Sequence, residues 1–186
     1  MRILMLATND FGGKGGIAKY NRDLLNALAN NDNVSEVIVF SRLRDFCHFE
    51  TPSKIKHRDY SLQGKVGYIK AVIAEVMGDR NFNLVICGHI NLIVLSQCLA
   101  WFLKAPMFLI LHGVEAWQPI PGRLKRYFIK KHLKTIVGVS HLTIERFLAW
   151  IGAKHNYLLP NTIDTDRFTP GEKDKELLKL WDIVDA

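Results

Sequence analysis

Short, unbroken apolar runs separated by amphipathic stretches recur along this chain. The runs RILMLA (2–7), EVIVFS (36–41), NLVICG (83–88), MFLIL (107–111), TIVGVS (135–140) and YLLP (157–160) read as strands. Most do not alternate polar with apolar, the pattern of parallel strands covered on both faces. Between and after them, helical spacing predicts helices over 17–30, 64–78, 92–103, 122–133, 141–151 and 172–181. The first sets Ile17, Tyr20, Leu24, Leu25 and Leu28 at helical spacing and stops at the turn formers 30–33. Residues 42–63 form a polar, basic excursion with room for one more short strand.

Strand–helix alternation of this kind predicts an α/β fold with a Rossmann-like, doubly wound parallel sheet. Right-handed crossovers then bring the loop after every strand to one edge of the sheet, where such folds bind ligands. The loops gathered there are NDFGGKGGIAKY (9–20), Ser41–Arg42, Gly88–His89, LHGVEAW (111–117), Ser140–His141 and PNTID (160–164).

Composition narrows the partners. The 186 residues hold 25 Lys and Arg against 18 Asp and Glu, a formal charge of +7. That favours phosphates, nucleic acid or an anionic membrane. Cys47, Cys87 and Cys98 show no CxxC spacing and one is left over from any pairing, as in a reduced cytoplasmic protein. The apolar stretch 90–111 is broken by Gln97, Lys104 and Pro106, so helix, turn and strand are expected in place of a membrane span.

The glycine loop has Gly12, Gly13, Gly15 and Gly16 around Lys14. From Gly13 it matches G-x-G-x-x-A, a dinucleotide fingerprint, although five residues separate the first strand from Gly13. Ser41–Arg42 replaces the acid that would hold a ribose; arginine there suits a 2′-phosphate, so a NADP-binding oxidoreductase domain stays open. No Walker A pattern occurs. A glycine loop opening onto a helix start is otherwise a phosphate cradle, with Lys14 as a mobile cation. A turn with no ligand is the plain alternative.

Three segments stand out together: GGIAKYNRDLLNAL (15–28), LHGVEAW (111–117), and VSHLTIERF (139–147) followed by LPNTIDTDRFTPG (159–171). Together they resemble the N-terminal half of a retaining, GT-B-fold glycosyltransferase of the large group that assembles bacterial glycans and glycolipids. The resemblance implies that Gly15 and Gly16 approach the diphosphate and sugar of a nucleotide-sugar donor, and that His112 contacts the donor sugar beside the reacting carbon. It also implies that Ser140 caps a helix at the cleft and that Asn161 and Asp164 lie near an interdomain hinge. The acceptor would be a glycan or lipid-linked molecule, with no cofactor and no metal.

That family holds its donor with two glutamates eight positions apart in a second Rossmann-like domain, and no two glutamates here have that spacing. The expectation is therefore an N-terminal, acceptor-side domain over 1–171. Residues 172–186 would be a linker helix toward a missing C-terminal domain, and the piece alone would not turn over. A standalone sugar- or phosphate-binding module is the competing possibility.

Single residues have duller uses as well. His112 also fits a structural histidine at a strand end, Glu115 a general base, His141 a first-turn residue, and the Cys87–His89 pair packing or a metal site. Arg123, Arg126, Lys130 and Lys134 fall on one helical stripe, with Leu124, Phe128, Ile129 and Leu133 expected to face the sheet. The stripe fits a solvated face or peripheral contact with an anionic membrane at the inner face; nucleic acid is not expected.

Overall fold

The computed structural model describes residues 1–11, 14–43, 50–58, 64–163, 165–166, 168–171, 176 and 178. Along the chain it runs β1 (Arg2–Ala7), α1 (Gly16–Ala29), β2 (Glu36–Ser41), β3 (Ile55–His57), α2 (Gly64–Gly78), β4 (Leu84–Cys87), α3 (Ile93–Leu103), β5 (Met107–Leu111), α4 (Arg123–His132), β6 (Thr135–Gly138), α5 (His141–Leu148) and β7 (His155–Leu158). Single 3₁₀ turns at Ile90–Leu92 and Val114–Ala116 follow β4 and β5.

The seven strands form one sheet in the order β3-β2-β1-β4-β5-β6-β7, every neighbouring pair parallel. This is the doubly wound α/β sheet that the alternation predicts. The order reverses between β1 and β4, so the loops after these strands diverge and leave a crevice at their carboxyl ends.

Alternate side chains of the apolar strands enter two separate cores. Ile3, Met5, Val37, Val39 and Ile86 meet Tyr20 and Leu25 of α1 on one face. Leu4, Leu6, Ile38, Val85 and Leu109 meet residues of α2, α3, α4 and α5 on the other. Both sets are buried, which explains why the strands read as continuous apolar runs.

Four sequence expectations need correction or completion. The extra strand within 42–63 is β3, paired with β2 through Val37↔Ile55. The last strand is His155–Leu158 and not 157–160: it pairs Thr135↔His155 at the sheet edge with its residues exposed, so hydrophobicity does not mark its start. On α4, Leu124 is 86% exposed, and only Ile129 of the helix and Leu133 just after it are buried. The first turn of α4 thus presents Leu124 to solvent, while Ile129 joins the core one and a half turns later. Lys134 follows the helix end and so leaves the stripe of Arg123, Arg126 and Lys130. Most of 172–181 lies outside the described residues. No helix among the described residues is long and apolar enough to cross a membrane.

Candidate functional site

The turn after β5 is closed by its own hydrogen bonds. Glu115 Oε1 accepts from the backbone N–H of His112 at 2.8 Å and of Gly113 at 3.0 Å. The carboxylate therefore folds back on the strand end and fixes the backbone that bears the imidazole. His112 Nε2 lies 2.9 Å from the carbonyl oxygen of Gly88 at the end of β4. A carbonyl only accepts, so Nε2 holds the proton and the lone pair of the neutral ring is at Nδ1. Nδ1 has no partner among the described residues.

Burial pushes the His112 pKa below its ordinary value, against the opposing pull of the Gly88 hydrogen bond and the Glu115 charge. His89 is lowered as well, first by burial and further by its neighbours His112 and Arg42, with Glu115 opposing. The two rings are 6.5 Å apart, and His89 Nδ1 accepts from the Asn91 N–H at 3.1 Å. Two neutral imidazoles thus sit side by side at the crevice near neutral pH.

The opposite wall is the start of α1. Its N-cap is Gly15 at φ 99°, with no side-chain cap and no acidic residue in the first turn. Free N–H groups and the positive end of the helix dipole are left for an anion. Lys14, Gly15 and Gly16 are exposed; Gly12 and Gly13 lie outside the described residues. One turn further on, Tyr20 packs edge-on against His112 at 5.2 Å and its hydroxyl donates to the Leu159 carbonyl at 3.2 Å. Tyr20 thereby joins α1, the β5 turn and the segment after β7. Burial raises its phenol to about 12, so it remains a donor.

Other predicted residues spread along the same edge. Ser140 caps α5, accepting from the Thr143 N–H at 3.2 Å, and also bonds the Thr143 hydroxyl at 3.0 Å. Asn161 is exposed in the segment that Tyr20–Leu159 and Thr162–Asp23 hold against α1. Asp164 lies outside the described residues. His141 is exposed in the first turn of α5. Cys87 is a buried thiol raised to about 11 by burial and donating to the His89 carbonyl, and no group of three metal-ligating side chains occurs among the described residues.

A buried polar cluster on the β3 side has no signature in the residue pattern. Asp10 Oδ2 accepts from Ser41 Oγ at 2.6 Å and lies 3.2 Å from His57 Nδ1. Asn21 Nδ2 donates to the Asn9 carbonyl at 2.7 Å. These contacts moor the loop after β1 to α1 and to the ends of β2 and β3. The roles of Tyr20 and Glu115 were also missed. For Glu115 the signal was present, an acidic residue three positions beyond a strand-end histidine.

Comparison with known proteins rests on the fold. No family model matches the chain. No curated protein matches it by sequence. Among solved structures it is similar to Anabaena Alr3699/HepE in complex with UDP and glucose, with a TM-score of 0.61 at 14% identity. The complexes of that protein with UDP-glucose and with UDP superpose with TM-scores of 0.59, again at 14% identity. The match covers 98% of this chain and 50% of the HepE chain. The chain is thus similar in fold to about half the length of HepE.

Proposed function

We propose that this chain is the acceptor-side, N-terminal half of a nucleotide-sugar-dependent glycosyltransferase of GT-B architecture. The supporting observation is the His112 turn: a neutral imidazole whose proton is committed to Gly88 and whose Nδ1 is left to accept, facing an uncapped glycine start of α1 across the shared ring of Tyr20. An acceptor nitrogen suits a sugar hydroxyl, and free N–H groups at a helix start suit a diphosphate. The fold likeness to a protein solved with UDP and glucose supports the same ligand class.

In the whole enzyme the bond between the anomeric carbon and the leaving phosphate breaks as the acceptor oxygen bonds to that carbon. The departing diphosphate takes the acceptor proton on the same face, which retains configuration. Negative charge grows on the leaving phosphate, and the N–H groups at Gly15 and Gly16 with Lys14 stabilise it. His112 orients a hexose through Nδ1. Ser140, Asn161 and Asp164 complete the cleft toward a second domain that selects the donor, and no metal is needed.

The test is UDP release from UDP-glucose by the product of the full coding sequence, across candidate acceptors. Release is expected with the longer protein and none with these 186 residues alone. His112→Ala should lower kcat at least about 100-fold. Undiminished turnover by that variant, or no turnover with any nucleotide sugar, would overturn the proposal.

A further inference from the structure

α2 is apolar on both sides. Tyr68, Val72 and Val76 face the core, while Val66, Ile69, Ile73 and Met77 run along its outer side and are exposed. A helix with such a second stripe is built to be covered by something other than water. At the end of this stripe lies a groove of about 690 Å³, bounded by Ile73, Met77, Leu95, Trp101, Phe102 and Phe128. Trp101 is 79% exposed at its rim.

At the other end, on the carboxyl edge, is a smaller pocket of about 430 Å³ that includes Arg42, Lys65, Tyr68, Ile69, Asn91 and Leu95. Leu95 lines both spaces, and the exposed stripe of α2 runs past both, with Ile69 at the pocket and Ile73 and Met77 at the groove. Among the described residues neither Arg42 nor Lys65 is ion-paired, and none that lines either space is acidic. The pocket adjoins the transfer site, because the Asn91 N–H is bonded to His89 and His89 stands beside His112. From Lys65 to Met77 the helix rises about 18 Å, at 1.5 Å per residue.

From this geometry we infer that the track binds one amphiphile, a lipid phosphate, with its phosphate on Arg42 and Lys65 and its hydrocarbon chain along α2 to Trp101. Two cations at one end of an apolar track complement one anionic head on one tail. The role as glycosyl acceptor rests on the proposed transferase; the binding site does not.

The experiment titrates decyl phosphate, kept below its micellar concentration, into the 186-residue chain and follows tryptophan fluorescence. Saturable binding with a blue shift is expected, at least tenfold tighter than either decanol or inorganic phosphate alone. The shift should vanish in Trp101→Phe while calorimetry still records binding. The double variant Arg42→Ala/Lys65→Ala should weaken decyl phosphate at least tenfold and leave decanol unchanged. Ile73→Ser should weaken both decyl phosphate and decanol, with circular dichroism confirming that each variant folds.

Equal affinity for decanol and decyl phosphate would overturn the site, as would indifference to the double variant. Binding seen only with vesicles of anionic phospholipid would replace it with a bilayer-facing surface. No nucleotide sugar is present, so a negative result leaves the transferase proposal standing. Binding without any sugar transfer by the longer protein would remove that proposal and keep the site.

Discussion

Two loops meet at the carboxyl edge and are built in opposite ways. The turn after β5 is closed on itself: Glu115 holds two backbone N–H groups, and His112 is anchored to the neighbouring strand. The loop after β1 ends in an uncapped helix start, and a Cβ added at Gly15 or Gly16 would meet nothing within 4 Å. Gly138, at the end of β6, is a useful contrast, since a Cβ there would fall 2.4 Å from Ile144 Cγ1. A glycine crowded by its own chain serves packing. One facing open space in an allowed conformation, as at Gly16, leaves room for a ligand.

The largest expected effects would test that contrast by separating activity from stability. If the proposed two-domain transferase is correct, Gly16→Val should abolish its transfer, as His112→Ala nearly does, while thermal unfolding of the chain shifts by no more than about 2 °C. Gly138→Ala should do the reverse. Overpacking against Ile144 costs about 1–3 kcal/mol, read as a lower urea midpoint, while donor affinity in the longer protein is retained. A Gly16→Val chain that unfolds as readily as Gly138→Ala would make both glycines structural.

The closed loop has its own test. Glu115→Ala removes a charged acceptor from two N–H groups and should cost about 1.5–3 kcal/mol in urea unfolding. Glu115→Gln keeps one acceptor oxygen and should recover part of that loss. In the longer protein both variants should lower kcat, because the turn that aims His112 is loosened. An unchanged urea midpoint in Glu115→Ala would show that the turn holds without its carboxylate.

Sequence patterning revealed the sheet because both faces of its central strands are buried, which writes the fold into unbroken apolar runs. It failed at β7, where edge exposure removes that signal, and at Leu124, where helical spacing alone does not say how far the sheet extends beneath a helix. His112, Ser140 and the α1 glycines were legible because strand ends and helix starts have sequence signatures. Tyr20 beside His112, and Asp10 with Ser41 and His57, were not, because they depend on residues from separate elements that only the folded sheet brings together.

The smallest effect separates the two loops by pH. Burial lowers the pKa of both His112 and His89 in the folded chain, whereas in the unfolded chain each titrates near the ordinary 6.5. Above that pH both states are neutral and the native environment of the rings carries no protonation penalty. As pH falls below 6.5 the unfolded chain takes up protons first, so stability declines until the depressed native values are passed. Urea midpoints should therefore fall between pH 7 and pH 5, and less steeply in His112→Gln/His89→Gln. Any slope left in the double variant belongs to other groups; among them Asp79 is held below its ordinary value by the Asn81 N–H and by Arg2, and its contribution is lost at more acid pH. Gly16→Ala, altering the open loop alone, should leave the histidine slope intact. If it flattens that slope, the two loops are coupled through Tyr20 and are not independent walls of the site.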